Sequence, residues 1–494
     1  MTQTDPSLKL KTARTLKWNL IDRFASQILY GVTGIVLARE LSQEAFGLVG
    51  AILVFQAFAS LMVDSGFSYA LLQRKAPTDE DYSTVLWFNV FVSGLLYAIL
   101  YLCAPFISDL FGGDARLIPL ARVMFLSFIL NGAAIVQTNR YMKQMNVRPI
   151  AIANTVALTA GGVTGIWLAV TGFGAWAIVW QTLAIAAVKG ILLWISSRWL
   201  PKLMFSWKIL RSFFRVGGAM MFTSFLNTVF LNIYAFFIGN RVGLVSLGYY
   251  SQGDKWSKMY ISSISQVLTS SFIPVLSHVQ NDTERYRLMS SRMNRMTAYL
   301  VFPLFVGLIA EATPIFHALF EEKWDASIIL FQLLLVRGIF AVFTSLYTNY
   351  LLSLGHVKPI ARLEIWRDVV ALAGLAATFP VMADTTPDNP VWGIMIMLWG
   401  QILAAIVAWV LTLIAVRKYC RLSAWSLFRD YIPYGLLSCT LGAGMLFLGT
   451  LIGNPWIAIA VETAVGFGIY IIINRHFGSR IQSDAIAYLR GKMQ

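Results

Sequence analysis

The sequence predicts an all-α polytopic membrane protein of about fourteen transmembrane helices: two six-helix bundles around a central cavity, plus two extra C-terminal helices. Three observations lead there. Of 494 residues, 57% are hydrophobic and only 13% charged, with mean hydropathy +0.67, whereas a soluble domain carries about 25% charged residues. Apolar runs of about 20 residues, the length that crosses a bilayer, recur from end to end. The short segments between them alternate in charge, basic on one side and acidic on the other.

The spans read from the apolar runs are 17–38, 46–64, 83–105, 117–137, 149–170, 175–196, 216–239, 247–275, 295–319, 327–353, 359–382, 391–416, 431–452 and 456–474. The eighth is the least apolar. Its stretch GYYSQGDKWSKMYISSISQVL must face protein or water rather than lipid. No cleavable signal peptide is expected, because the N-terminus is polar and basic and the first apolar run is too long for a signal core.

Charge sets the expected orientation. With the N-terminus in the cytoplasm, the inner segments collect Lys9, Lys11, Arg14 and Lys17, then Arg74, Lys75, Arg140, Lys143 and Arg148, and continue to Arg475, Arg480, Arg490 and Lys492 in the tail. The outer segments hold Arg39, Arg116, Arg241 and Lys323 together with Glu40, Glu44, Asp109, Asp114, Glu321, Glu322, Asp325, Asp384 and Asp388. The alternation holds through the weak eighth span, so both termini are read as cytoplasmic. The net charge of +15 is therefore a membrane-topology signal, and nucleic acid is excluded as a partner because the basic residues gather on no single face. The loops are too short to house an aqueous catalytic domain. Cys103, Cys420 and Cys439 share no metal or redox spacing and read as packing residues. The four histidines are isolated, and no metal site is expected.

An internal repeat divides the chain. Val147-Arg148-Pro149-Ile150-Ala151 echoes Val357-Lys358-Pro359-Ile360-Ala361 at the cytoplasmic entries of the fifth and eleventh spans. A weaker echo pairs Arg39…Phe46-Gly47 with Arg241…Leu247-Gly248 at the outer turns. A six-span repeat keeps one topology in both copies, so the halves are expected to be related by an axis along the membrane normal. The expected domains are 1–207, 208–421 and 422–494, the last holding the two extra spans and the tail.

Charges inside spans are costly, on the order of 3 kcal/mol or more, and usually face a cavity. Asp22, Arg23, Arg122, Lys189, Asp254, Lys255, Lys258 and Arg337 are the ones noted. Arg122 and Lys189 lie close enough to span ends to snorkel, and Asp64 reads as an anchor of its helix end. Arg23, Lys255, Lys258 and Arg337 are candidate contacts for an anionic substrate, because arginine offers a rigid fork of donors and lysine a mobile point charge. Asn227 and Tyr250 are candidates for hydrogen bonding and stacking with sugars, in company with Asn131, Asn154, Asn232, Gln266, Asn349, Tyr249, Trp256 and Tyr260. The other reading of the cations is that they pair with Asp22 and Asp254 and hold helices together. Asp22, Asp64 and Asp254 are the candidate ion-coupling residues.

Several motifs also resemble a known family. Leu37-Ala38-Arg39-Glu40-Leu41-Ser42…Phe46-Gly47, Asp64-Ser65-Gly66…Ala70-Leu71-Leu72-Gln73-Arg74-Lys75, and Leu247-Gly248-Tyr249-Tyr250-Ser251 running to Pro274-Val275-Leu276-Ser277 are similar to the polysaccharide-transport flippases, the Wzx-like branch of the multidrug/oligosaccharidyl-lipid/polysaccharide exporter superfamily. The likeness runs over essentially the whole chain. It implies translocation of an undecaprenyl-diphosphate-linked oligosaccharide, such as a polysaccharide or O-antigen repeat unit, across a bacterial inner membrane by alternating access. It implies no enzymatic activity and no cofactor beyond coupling to H+ or Na+. Expected partners are the lipid-linked substrate, membrane lipids, a polysaccharide polymerase and glycosyltransferases. A multidrug/cation antiporter of the same superfamily is the alternative; it would place carboxylates rather than cations deep in the cavity. A membrane-embedded glycosyltransferase would need a sizeable outer loop, and none is present.

Overall fold

The computed structural model describes residues 6–64, 67–386, 389–477, 479 and 481–483; within these, the side chains of residues 6–13, 16, 64, 69, 216, 219, 220, 222 and 223 are outside the description. Among the sequence-derived candidates, Asp64 closes a helix but its side chain lies outside the described residues, as do the side chains of Lys9 and Lys11 and all of Asp388, Arg480, Arg490 and Lys492.

The described chain is helical, with one isolated β-bridge between Thr386 and Asn389. It divides into two compact units, 1–248 and 249–494. The first holds α1 (Pro6–Glu40), α2 (Gln43–Asp64), α3 (Phe67–Gln73), α4 (Asp79–Leu110), α5 (Leu117–Met124), α6 (Leu126–Lys143), α7 (Arg148–Val170), α8 (Trp176–Ser197), α9 (Trp207–Arg241) and the first residues of α10 (Leu244–His278). The second holds the rest of α10, α11 (Thr283–Ala310), α12 (Ala312–Phe320), α13 (Asp325–Ser353), α14 (Val357–Thr378), α15 (Trp392–Tyr419), α16 (Ala424–Leu451) and α17 (Pro455–His476). The boundary at 207/208 follows the sequence repeat, whereas the division by packing falls later because α9 packs on α2, α3 and α4.

Helices dominate for a simple reason. Hydrocarbon offers no hydrogen-bond partner, so the backbone must satisfy its own donors and acceptors within each crossing segment. Among the described residues, twelve helical stretches are long and apolar enough to span a membrane, and the weakly apolar α10 is one of them. The other two expected spans, α9 and α14, are also long continuous helices but fall outside those twelve. α14 carries Lys358, Arg362, Glu364, Arg367 and Asp368 between positions 358 and 368, which lowers its hydropathy. The fourth expected span is formed by α5 and α6 in succession.

The repeat is visible in backbone geometry. Before α7, Met145 is left-handed (φ 55°), the Met145 amide donates to Met142 O (3.0 Å), and the Asn146 amide donates to Tyr141 O (3.0 Å). Before α14, Gly355 is left-handed (φ 75°), its amide donates to Leu352 O (2.9 Å), and the His356 amide donates to Leu351 O (3.0 Å). The same helix-terminating turn thus stands at equivalent positions of the two copies. Pro149 and Pro359 follow in the first turn of α7 and α14, where a missing amide costs nothing.

The second echo is a reciprocal contact. A Cβ on Gly47 would sit 1.8 Å from Leu244 O, and a Cβ on Gly248 would sit 1.9 Å from Gln43 O. The starts of α2 and α10 therefore pack backbone to backbone, each through the glycine that lies one turn into the helix.

Unit 1 is tied at the end where α4 begins. Thr78 caps α4 in a capping box with Asp81, and the fully buried Asp81 pairs with Arg74 at 2.9 Å. The Lys143 ammonium donates to Leu72 O and Arg74 O, and Arg140 lies over the rings of Tyr82 and Trp199. Several of the basic residues that set topology are thus also structural fasteners. Near the start of α5, Arg116 bonds Asp114 and Glu44, and its guanidinium holds the Asp114 carboxyl below its ordinary range. Unit 2 is built around α13, whose Leu334, Leu335, Val342, Leu346, Tyr347 and Tyr350 are fully enclosed. Tyr350 donates to Ser290 O (2.8 Å), Tyr347 to Asn294 Oδ1 (3.2 Å), and Asn294 in turn to Leu427 O (2.8 Å), which joins α13 to α11 and α11 to α16.

Replacing Gly47 or Gly248 by Ala is expected to lower the melting temperature of the purified protein by several degrees, since the added methyl meets backbone rather than a movable side chain. Gly94→Ala, where a Cβ meets nothing within 4 Å, is expected to melt at or above the parent, because alanine is the better helix former by about 1 kcal/mol. Fluorescence-detected melting in detergent checks both.

Candidate functional site

The membrane-embedded charges fall into three groups once their partners are known. In unit 1, the two Asp22 carboxylate oxygens of α1 accept from Asn154 Nδ2 of α7, at 3.2 and 3.1 Å. Lys189 of α8 lies within electrostatic reach of Asp22, and Ser26 one turn along α1 also hydrogen-bonds it. Three helices thus converge on one carboxylate. Lys189, read from sequence as a snorkelling residue, belongs to this cluster. Arg23, the next residue on α1, is half-buried and has no carboxylate partner among the described residues.

In unit 2, Lys258 and Asp254 of α10 form an ion pair at 2.6 Å. Their spacing of four places them on one helix face. This is the pairing alternative for Lys258: its charge is matched within its own helix. Lys255 stands apart from that pair. Its ammonium lies 5.4 Å from the centre of the Trp256 ring, and no carboxylate pairs with it among the described residues.

Arg337 is a cation held from another helix by a neutral group. It is the thirteenth residue of α13, about 18 Å along that helix and so near the middle of a hydrocarbon layer about 30 Å thick. Its Nη1 donates to Gln401 Oε1 of α15 at 2.6 Å. The partner is neutral. Gln401 is almost fully enclosed, and its own Nε2 has no partner. The guanidinium is oriented without being neutralised, and an amide donor stands unused beside it.

The sugar-contact candidates separate by exposure. Asn227 is exposed on α9, whereas Tyr250 is buried in the packing of α10. Asn349 is spent on Thr269 Oγ1 (3.2 Å) and Asn232 on Thr228 O (2.8 Å). Tyr249 and Trp256 pack edge-on or tilted against Trp324 and Phe320. Arg122 lies over the Tyr101 ring at 4.3 Å and donates to Tyr101 O. Cys420 is enclosed at the end of α15, and burial pushes its thiol up to about 12, which removes it as a nucleophile at neutral pH.

Two features were not legible as sites in the sequence. A cavity of about 900 Å³ in unit 1 is lined by Arg14, Lys17 and Arg148 around Trp18, Ile152, Val156 and Leu192. Its cations had been absorbed by the topology argument, and only the docking of α1 on the turn before α7, through Thr15 Oγ1 and Met145 O (2.7 Å), brings them together. A second cavity, of about 590 Å³, is an apolar groove in unit 2 between α11, α13, α15 and α16, walled by Phe302, Phe340, Phe343, Trp409, Phe428 and Leu446. Two carboxylates also escaped notice. Glu462 is the eighth residue of α17 in an otherwise apolar run, a signal present in the sequence, and Glu311 sits at the junction of α11 and α12.

Comparison with known proteins agrees with this architecture. The chain is 25% identical over 473 residues to the succinoglycan biosynthesis transport protein ExoT of Rhizobium meliloti (strain 1021), covering 95% of this chain and 94% of that protein. It is 25% identical to the teichuronic acid biosynthesis protein TuaB of Bacillus subtilis (strain 168), over 71% of this chain and 73% of that one, and 25% identical to the lipopolysaccharide biosynthesis protein WzxC of Escherichia coli (strain K12), over 67% and 68%. Among solved structures, the lipid II flippase MurJ superimposes with a TM-score of 0.72 at 15% identity, covering 94% of this chain and 98% of that one. A multidrug-resistance transporter of the MATE family superimposes with a TM-score of 0.59 at 17% identity, covering 82% and 99%. Both show the transporter fold. The model of the family described as "Polysaccharide biosynthesis protein" matches residues 36–329, more than half of the sequence, and the chain is a multi-pass membrane protein belonging to that family.

Proposed function

We propose that this protein is a flippase that carries an undecaprenyl-diphosphate-linked oligosaccharide from the inner to the outer leaflet of a bacterial inner membrane by alternating access, with both termini in the cytoplasm. It works as a carrier and catalyses no bond-breaking step. The observation that carries the reading is Arg337: a guanidinium at mid-depth of the most enclosed helix of unit 2, held by a neutral glutamine. A diphosphate is a doubly charged, acceptor-only headgroup that cannot cross hydrocarbon unaided. Arginine matches its geometry with two parallel donors, and in a low-dielectric site that attraction far exceeds its value in water. An antiporter for organic cations would bring its carboxylates to this depth instead.

Within unit 2, Lys255 supplies further unmatched positive charge for an anionic headgroup, and within unit 1 Arg23 is a candidate for the same kind of contact. The basic cavity around Arg14, Lys17 and Arg148 sits at the expected cytoplasmic leaflet and suits first capture of the diphosphate there. The apolar groove of unit 2 suits the polyprenyl chain, whose passage needs a hydrocarbon-like surface. The relatives' names, covering succinoglycan, teichuronic acid and lipopolysaccharide, support a lipid-linked glycan as cargo. Coupling to H+ or Na+ is assigned to Asp22, whose carboxylate is shared among α1, α7 and α8; Asp254 and Asp64 are the further candidates. A polysaccharide polymerase and glycosyltransferases of the same pathway are the expected protein partners.

In a strain lacking the native gene, Arg337→Ala at matched membrane levels is expected to reduce surface polysaccharide at least tenfold, the cost of losing one charge-assisted pair of about 1.5–3 kcal/mol. Lipid-linked oligosaccharide should accumulate on the inner leaflet, and Arg337→Lys should recover part of the export. Export unchanged in Arg337→Ala overturns the assignment.

The ion pair on α10 gives a different expectation. Lys258→Ala strands the mostly buried Asp254 carboxylate, so the variant should melt below the parent, and adding Asp254→Asn should restore the melting temperature. A double variant as unstable as the single one would show that the pair does not carry the effect.

A further inference from the structure

Glu462 stands out among the membrane-embedded charges because it is almost fully enclosed and yet unpartnered. Its side chain is 1% exposed, and neither carboxylate oxygen has a hydrogen-bond partner. α16 makes room for it at Gly449, where a Cβ would sit 2.5 Å from Glu462 Oε1. The ionisable group that acts on Glu462 is another acid, Glu311, itself 6% exposed. Glu311 Oε1 accepts from Thr463 Oγ1 at 2.6 Å, which brings the α11–α12 junction against the residue next to Glu462.

The surroundings hold nothing that would neutralise this pair. α17 packs on α16, α12 and α11. From those elements and from α10 the nearby titratable groups are Tyr299, Tyr434 and Tyr470, Tyr260 facing Glu311, and His317, which is spent on Asp325 at 2.8 Å. Among the described residues no lysine or arginine forms an ion pair with either carboxylate. The helix dipoles at Glu311 oppose each other, since it closes α11 and opens α12, but the Thr463 hydroxyl donor gives it some support as an anion. Glu462 has none. An uncompensated carboxylate in such a place costs several kcal/mol, so a protein that keeps one there holds a positive charge against it.

We propose that Glu462, with Glu311 and Thr463, forms a binding site for one small monovalent cation, a sodium ion or a proton, between α17, α16 and the α11–α12 junction. The donors are all oxygens, which suits a hard ion, and they are too few for the six to eight ligands that calcium takes. Among the described residues no group of three or more His, Cys, Asp or Glu side chains gathers as a polyvalent metal site. The site is built on α17, α16 and the α11–α12 junction and uses none of Asp22, Asp64 and Asp254. It couples α17 to the body of unit 2 through a bound charge, and it stands whether or not the transported substrate is a lipid-linked glycan.

The test reads binding on the purified full-length protein in detergent and not transport. Melting temperature is measured against sodium, with choline replacing it, at fixed pH, and against pH in choline alone. The parent is expected to gain several degrees with sodium or with acidification. Glu462→Gln, which keeps the shape and removes the charge, should be at least as stable as the unliganded parent and lose that response. A sodium response at fixed pH identifies the ion as sodium; a pH response that persists in choline, with an infrared band of a protonated carboxyl that disappears in Glu462→Gln, identifies it as a proton. Thr463→Val, which keeps both acids, should shift the sodium midpoint, or the pH midpoint, by about tenfold in ion concentration through loss of one oxygen donor, and it keeps the test decisive if Glu462→Gln does not fold. Sodium and pH responses in Glu462→Gln equal to those of the parent, or no response to either ion in the parent, overturn the proposal.

Discussion

A charge inside hydrocarbon needs a partner, and much of this structure can be read as the list of partners found. The backbone has already satisfied itself by forming helices, so the surplus polarity is all in side chains. The protein settles it in three ways. Some charges meet opposite charges, as Asp81 meets Arg74 and Lys258 meets Asp254. Some meet neutral groups that bond them without cancelling them, as Arg337 meets Gln401. One, Glu462, meets no donor at all. The first group cancels its charge locally, between α4 and the segment before it for Asp81 and within α10 for Lys258. The other two retain net charge at depth, which costs stability and is tolerated where the charge has work to do.

What the sequence made legible follows from which forces are local. Spans could be read because a crossing helix needs a continuous apolar run, and the weak α10 could be placed because a missed span would have inverted the charge alternation downstream. The pairing of Lys258 with Asp254 was open to reading because both sit on one helix face. The bond from Arg337 to Gln401 was not, since it joins residues 64 apart and depends on how α13 meets α15. Nor was the grouping of Lys189 with Asp22, because position along a helix gives depth but not the neighbour. Tyr250, offered by its type for stacking, lies in the packing of its own unit. α14 was placed by alternation despite five charges between positions 358 and 368 that weaken its apolar signal.

The repeat persists most strongly where the backbone is most constrained. The turns before α7 and α14 share two hydrogen bonds and a left-handed residue, yet the second copy uses Gly355 and the first uses Met145. A non-glycine residue there costs on the order of 1 kcal/mol, and in the first copy the same residue's carbonyl is held by Thr15 of α1. The conformation is therefore fixed by sequence in one half and by tertiary docking in the other. The reciprocal approach of Gly47 and Gly248 shows the opposite case, in which both copies kept glycine because backbone meets backbone at each.

Gln401 is the kind of partner that the role proposed for Arg337 requires. A carboxylate at that position would hold Arg337 more tightly in the empty protein, but an arriving diphosphate would then have to compete with a buried ion pair, and breaking such a pair costs about 3–5 kcal/mol. An unheld arginine would swing among rotamers and lose up to about 2 kcal/mol of ordering entropy on binding. The glutamine oxygen fixes the guanidinium by one bond at 2.6 Å and leaves its charge intact, while the unused amide nitrogen stands ready as a further donor. The same argument separates Arg337 from Lys258: both are membrane cations of unit 2, but only Arg337 has a neutral partner, so only Arg337 can be claimed by an anion without first being released from one.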